Sequence, residues 1–253
     1  NKLNDLTPGT YIFKVNPSII DFKFNTSNII NFGFVMSSGG QNGFFGQTKD
    51  GVITAPVGLY GGAGGSTLQV NYKDEFIQQD LPLQIISGDS NSNSIFSVNN
   101  QLECSAGFGS NIKDSTNYKG FIEGTTVKIN GGAVGLGTNN NGNNASPIQS
   151  QFNYNSIQIQ YPSAYGGSGG GGALNFTNSF SGWVGGGGGN SGYAGTIQVA
   201  DGNEDINGKP GTNGGGGGGP GYVAPTDSKG AAYGNVGIGG QGIAYFYFIV
   251  SEE

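Results

Sequence analysis

Hydrophobic and polar residues alternate over short stretches in the first 160 residues of the chain. Alternation with a period of two residues is typical of a β-strand with one buried face. Stretches with this pattern, or with a short run of β-branched and aromatic residues, are 11–15, 20–24, 29–36, 51–55, 67–71, 83–86, 94–98, 101–104, 121–129 and 157–161. We therefore expect about ten short strands in this part of the chain.

The segments between these predicted strands are rich in Gly, Asn, Ser and Asp, which are turn-forming residues. Most of the strands follow one another at intervals of about 8 to 15 residues, close to the spacing of antiparallel sandwiches. No window shows the periodicity of an amphipathic helix. The pattern predicts an antiparallel β-sandwich over residues 1–160.

Glycine becomes much more frequent after residue 160. The chain has 52 glycines, and 30 of them lie within residues 161–242, many in runs at 166–172, 185–189 and 214–219. A flexible linker is one interpretation of such runs. However, the intervening segments carry bulky residues such as Trp183 and Tyr193, which linkers rarely contain. A glycine run can instead form an extended helix with three residues per turn and a rise of about 3.1 Å per residue.

One such helix would not be stable alone, because ordering a residue costs about 1–2 kcal/mol and a hydrogen bond returns about 0.5–1.5 kcal/mol. A packed bundle that starts from a sandwich would be stable. The predicted fold is therefore all-β: an antiparallel β-sandwich with a packed bundle of extended, polyglycine II-like helices. The glycines expected to be structural in the bundle are Gly185, Gly187, Gly189, Gly214, Gly216 and Gly219.

The composition predicts two parts. Residues 1–160 form the sandwich, and residues 161–253 form the glycine bundle and close with a strand at 243–250 that returns to the sandwich. One continuous domain is the alternative.

Charge and side-chain chemistry argue against an enzyme. The chain has no His, all ten basic residues are Lys, and only 10% of the residues are charged. The usual general base near neutral pH and the commonest zinc ligand are therefore missing. An acidic chain of net charge −6 without Arg is also unsuited to nucleic acid. We expect no catalytic residues, no cofactor, no metal site and no nucleic-acid partner.

Three local features favour structural explanations. The single cysteine, Cys104, lies in an alternating stretch and is expected to be a small core residue rather than a reactive thiol. Residues 61–66 are glycine-rich, but no Lys follows and no helix is predicted, so a phosphate loop is not expected. No stretch reaches the roughly 18–20 apolar residues of a membrane span, so we expect no insertion into a membrane.

Several motifs resemble the glycine-rich domain of phage tail-fibre adhesins and giant-virus structural proteins. The segment Pro8–Val15, with sequence PGTYIFKV, looks like the first strand of that family. Leu81–Gly88 (LPLQIISG), followed by Asn93–Phe96 and Leu102–Gly107, is similar to the strand, turn and strand before its glycine runs. Gly237–Phe248 resembles its final glycine tract and last strand. The chain departs from the family at residues 37–43, where a long glycine run is usual and SSGGQNG stands instead.

The resemblance implies a protein of the virion surface or extracellular space that is structural and attaches to a host. It places recognition in the loops between glycine runs, here 173–184, 190–213 and 220–236. The candidate partner-binding residues are Trp183, Tyr193, Tyr222 and Tyr233, since rigid aromatic side chains supply contact area at low entropic cost. These residues could equally fill the gap between bundle and sandwich.

The partners that this function implies are other virion proteins, further copies of the chain, and a sugar or an outer-membrane protein of the host surface. Host adhesin and capsid-associated or fibre-associated component are both open within this class. The main alternative is a secreted subunit of an extracellular matrix or filament. An ice-binding protein is less favoured, because no ladder of Thr or Ala repeats along the chain.

Overall fold

The computed structural model describes residues 2–3, 6–15, 19–24, 29–45, 48–49, 52–53, 59–73, 80–106, 124–129, 151–154, 157–160, 197–198, 206–223 and 232–252. These residues form strands, turns and extended segments, and no helix occurs among them. The described part of the chain is therefore all-β, as the alternation of hydrophobic and polar residues predicts.

The first sheet has five strands in the order β1-β3-β10-β11-β12. Its strands are β1 (Lys2–Leu3), β3 (Ile19–Phe24), β10 (Leu83–Ile86), β11 (Ser94–Val98) and β12 (Gln101–Ala106). All neighbours are antiparallel except β1 and β3, which are parallel. Because β10, β11 and β12 follow one another along the chain, this half of the sheet is a simple meander.

The second sheet also has five strands, in the order β13-β9-β4-β19-β2, and is antiparallel throughout. Its strands are β2 (Gly9–Val15), β4 (Ile29–Ser37), β9 (Thr67–Lys73), β13 (Gly124–Ile129) and β19 (Ile243–Val250). The last strand lies between β4 and β2, so strands from opposite ends of the chain are neighbours.

Nine further strands form four small sheets. They are β5 (Phe44–Phe45) with β8 (Leu59–Tyr60), β6 (Thr48–Lys49) with β7 (Val52–Ile53), β14 (Gln151–Tyr154) with β15 (Ile157–Gln160), and β16 (Ile197–Gln198), β17 (Tyr222–Val223) and β18 (Ala232–Tyr233) together.

Both five-stranded sheets contribute to one hydrophobic core. Phe22 of β3 stacks on Phe246 of β19 with ring centroids 4.6 Å apart, and Phe34 of β4 lies 4.7 Å from Phe96 of β11. Such aromatic pairs contribute about 0.5–1.5 kcal/mol each beyond the burial of their area. Aromatic contacts between residues of different sheets therefore contribute to holding the core together.

Candidate functional site: the glycine network and its distal end

Five extended segments outside the sheets are joined by backbone hydrogen bonds, and we call them together the glycine network. They are residues 38–43, 61–66, 206–212, 214–221 and 234–242. Segments from both ends of the chain take part, so residues before and after position 160 meet here. Most of the glycines in the last three segments are buried although they carry no side chain, because the backbones themselves lie in contact.

The hydrogen bonds of the network recur every three residues. The stretches 208–214 and 235–241 run parallel and are joined by three hydrogen bonds of 2.8 Å each. The donors are the amides of Gly208, Gly211 and Gly214. The acceptors are, in the same order, the carbonyls of Asn235, Ile238 and Gln241. Donors at 234, 237 and 240 pair in the same way with carbonyls of the antiparallel segment 214–221. A three-residue spacing differs from the two-residue repeat of a β-strand.

Three segments of the network continue directly from neighbouring strands of the second sheet. Segment 38–43 follows β4, segment 61–66 precedes β9, and segment 234–242 precedes β19. These three strands are adjacent in the order β9-β4-β19. The sheet therefore fixes the distances between these three segments where they meet the strands. We call this end of the network the proximal end.

The other two segments, 206–212 and 214–221, form a hairpin that packs against the first three. Its turn is closed by a hydrogen bond of 2.8 Å from the amide of Gly215 to the carbonyl of Thr212. The two central residues, Asn213 and Gly214, have φ values of 44° and 80°. Asn-Gly is the preferred dipeptide where both central residues have positive φ, which explains why the chain reverses here.

Side chains add hydrogen bonds where a segment is not pure glycine. The amide of Gln41 donates to the carbonyl of Ala63 over 2.8 Å, and the amide of Ala63 donates to Oε1 of Gln41 over 3.1 Å. Oδ1 of Asn42 accepts from the amide of Gly239 over 2.8 Å. These two side chains thus tie segment 38–43 to two different neighbours.

Buried hydroxyl groups lie where the network meets the sheets. Ser37, Ser38, Ser66 and Ser94 are all fully buried. Oγ of Ser94 donates to the carbonyl of Ser37 over 2.8 Å and accepts from the amide of Gly88 over 2.9 Å. Because small hydroxyl side chains can satisfy backbone groups in little space, this layer joins the apolar core to the hydrogen-bonded backbones.

The end of the network away from the sheets, the distal end, begins with an aromatic ladder that sequence analysis did not single out. Segment 38–43 runs into β5, and β8 leads into segment 61–66. Phe44 and Tyr60 are register partners whose rings stack 5.0 Å apart at 16°. The neighbouring Phe45 is 37% exposed, so this end of the network presents part of an aromatic side chain to solvent.

Two of the four predicted partner-binding residues lie at the same end. Tyr222 of β17 and Tyr233 of β18 are register partners. They flank Gly221 and Gly234, which are joined by a backbone hydrogen bond of 3.0 Å. The structure thus brings these two positions together beyond the last hydrogen bonds of the network. The eight residues of β5, β8, β17 and β18 carry no charge.

Of the other predicted site residues, five lie outside the described residues and three lie within them. Trp183, Tyr193, Gly185, Gly187 and Gly189 lie outside the described residues. Gly214, Gly216 and Gly219 are buried in segment 214–221. Sequence analysis missed Phe44, Phe45 and Tyr60, although two aromatic residues next to a glycine-rich segment are the same signal that selected the tyrosines.

Cys104 is fully buried on β12 and is a free thiol. Burial raises the pKa of this thiol well above its usual range, and its Sγ lies 4.0 Å from the hydroxyl of Tyr72. The thiolate is the reactive form of cysteine, so Cys104 is a core residue in the folded protein, as its alternating stretch predicts.

The described residues contain neither a cluster of metal-binding side chains nor a membrane-spanning helix. In these ranges, no group of three or more Cys, Asp or Glu side chains is arranged to hold a metal ion. Within the same ranges we find no helix with the length and apolarity needed to cross a bilayer.

No protein-family model matches the chain, and no curated protein matches it.

Proposed function

We propose that this chain is a non-enzymatic protein of the virion surface in which a rigid glycine bundle carries a host-attachment tip. The two five-stranded sheets form a β-sandwich in this proposal, and the glycine network is a bundle of polyglycine II-like helices. The resemblance of segments such as Pro8–Val15 to the glycine-rich viral domains suggests this class. The backbone hydrogen bonds of the network support the bundle, and the aromatic residues at its distal end support the attachment role.

The three-residue repeat of hydrogen bonds supports the bundle. An extended helix of polyproline II type has three residues per turn, so donors that face one neighbour recur at every third residue. The spacing of the donors Gly234, Gly237 and Gly240 follows that rule. Seven residues of such a helix extend about 20 Å, which holds the distal end well away from the sheets.

The observation that carries the attachment function is the group of aromatic residues at the distal end. Phe45 is exposed beside the stacked pair of Phe44 and Tyr60, and the Tyr222–Tyr233 register pair lies at the same end. Aromatic residues held on a rigid scaffold lose little entropy on binding. Stacking and neutral hydrogen bonds suit a sugar or an outer-membrane protein of the host better than a phosphate.

Binding of the labelled protein to a panel of bacterial cells and to a glycan array tests this proposal. The variants Phe45→Ala and Tyr222→Ala should weaken binding at least about tenfold, which is the loss of one contact of about 1.4 kcal/mol. The matched control is Ile238→Ala, because Ile238 is 58% exposed on segment 234–242 but lies away from the distal end. All three variants should melt at the parent temperature.

Two outcomes would overturn the attachment role. One is equal binding by the parent and both aromatic variants. The other is binding to no cell or glycan, with co-purification only with capsids, which would leave a purely structural role. Neighbouring tail or capsid genes would distinguish a virion protein from the alternative, a secreted matrix or filament subunit.

A further inference from the structure

Among the described residues, β2 is an edge strand of the second sheet, and it carries two aromatic side chains. β2 pairs with β19 on one side, and no described strand lies on its other side. Tyr11, Ile12 and Phe13 are only half-buried, whereas Phe246 and Phe248 next to them on β19 are fully buried. An edge strand of this length with apolar side chains is a template for a further strand.

The faces of β2 have different chemistry. Tyr11 stacks on Phe248 with centroids 5.2 Å apart, and Phe13 stacks on Phe246 at 5.1 Å, so both rings lie on the core side. Ile12 and Lys14 alternate with them and therefore lie on the opposite face. Lys14 is exposed and is the only charged residue of the strand.

From this arrangement we propose that β2 pairs with β2 of a second copy of the chain, antiparallel and centred on Ile12, to form a two-fold symmetric dimer. All seven residues, Gly9–Val15, pair in this register. Tyr11 lies opposite Phe13 of the other copy, so each aromatic stack continues across the boundary into the stack of its partner. Opposed aromatic residues stabilise antiparallel strand pairs by about 0.2–1 kcal/mol each.

Charge favours this register over parallel pairing. In the antiparallel pair, Lys14 faces the neutral Thr10 of the other copy, and the two Lys14 residues are four positions apart. In a parallel pair in register, the two lysines would be neighbours, which is destabilising. The sequence Thr-Tyr-Ile-Phe-Lys is thus compatible with itself in only one of these two directions.

The start of β3, which follows β2 after three residues, also carries apolar side chains. Ile19 of β3 is 52% exposed, and Ile20 is half-buried against the same core as Tyr11 and Phe13. β1 pairs only with Lys23 and Phe24 at the other end of β3. The start of β3 therefore adds hydrophobic area to a contact that begins with seven backbone pairs.

Cysteine cross-linking tests the register. In Ile12→Cys the two new thiols face each other across the two-fold axis, and directly opposed residues of antiparallel strands have Cα atoms about 4.5–5.5 Å apart, within the range for a disulfide. Oxidation should convert most of the protein to a covalent dimer. Lys14→Cys is the matched control, since its two thiols would lie about 14 Å apart along the strands. Native Cys104 is buried and should not compete.

Sedimentation of the full chain tests the dimer without a cross-link. We expect the parent and the control variant Ile238→Lys to sediment with the mass of a dimer. Ile12→Lys should sediment with the mass of a monomer, because it places two positive charges opposite each other at the two-fold axis. Ile12→Lys should keep the parent's circular dichroism spectrum. A parent that stays monomeric at 100-micromolar scale concentrations, or a Lys14→Cys variant that cross-links as well as Ile12→Cys, would overturn the proposal. Neither result depends on what the distal end binds.

Discussion

Gly216 and Gly62 approach so closely that a Cβ atom on Gly216 would overlap the carbonyl oxygen of Gly62. The obstructing atom belongs to a backbone and cannot rotate away. The same neighbour is held in place by a hydrogen bond of 2.7 Å from the amide of Gly62 to the carbonyl of Gly217. Relief of the overlap would therefore require the two segments to separate.

Gly216→Val should lower the free energy of unfolding by several kcal/mol, because overpacking and broken backbone hydrogen bonds add. Chemical denaturation monitored by circular dichroism measures the change. Ile238→Val on the neighbouring segment is the control, and its exposed side chain predicts a change within about 0.5 kcal/mol. A denaturation curve of Gly216→Val that overlays the parent would contradict packing of the segment.

Hydrogen exchange should show that segment 214–221 is rigid. The amides of Gly217 and Gly218 donate to Gln41 and Lys209 over 2.8 Å. They should exchange far more slowly than the intrinsic rate of the unfolded chain, since exchange requires these bonds to open. The run 185–189 is predicted to behave in the same way. Free motion of both runs on the nanosecond timescale would instead support the linker interpretation.

Tyr247→Phe should destabilise the protein by about 1–3 kcal/mol. Tyr247 is fully buried, and its hydroxyl accepts from Nε2 of Gln69 over 3.1 Å and donates to Oδ1 of Asn71 over 2.7 Å. Removal of the hydroxyl takes a partner from both side chains. Tyr245→Phe on the same strand is the control, because Tyr245 is half-buried, and thermal or denaturant melts of the two variants should differ clearly.

Cys104 should make stability fall at alkaline pH. Burial raises the pKa of its thiol in the folded state, so above about pH 9 the unfolded chain loses this proton while the folded protein keeps it. The free energy of unfolding should then fall by up to about 1.4 kcal/mol per pH unit. Cys104→Ala removes this contribution. If the free energy of unfolding fell equally with pH in the variant and the parent between pH 9 and 10, this role of Cys104 would be contradicted.

Under the proposed attachment role, binding at the distal end should tolerate salt. The strands β5, β8, β17 and β18 contain no charged residue, so few counterions are released on binding. Affinity should change little between low and physiological salt, whereas binding to phosphate groups falls steeply. A titration at two ionic strengths measures the difference, and Tyr193→Ala and Tyr222→Ala are predicted to lower the affinity under both conditions.

Strands with several alternating residues were predictable from the sequence. The predicted stretches 83–86 and 94–98 have the same bounds as β10 and β11, and β4, β9 and β12 extend beyond their predictions by one or two residues. Two-residue strands such as β5 and β17 were not predicted, since two residues cannot show a period. Their pairing depends on the segments that precede and follow them.

Runs of consecutive glycine do not predict that segments 38–43 and 61–66 belong to the network, because neither segment is such a run. A more general signal is a glycine at every third position, as at 40 and 43, 62 and 65, 208 and 211, and 234, 237 and 240. Only the face toward a neighbouring backbone has to be free of side chains. The other positions can carry Gln, Asn or Ser, and Gln41 and Asn42 use that freedom to form hydrogen bonds.

The position of β19 has a consequence for how the protein is made. β19 lies between β4 and β2. Segment 234–242, which precedes β19, is hydrogen-bonded to segments 38–43, 206–212 and 214–221. During synthesis, β2 and β4 emerge more than 190 residues before their shared neighbour. Their edges must remain unpaired until residue 250 leaves the ribosome, because contacts so distant in sequence form late. Assembly of this sheet should therefore begin only after β19 has been synthesised, long after β2 and β4.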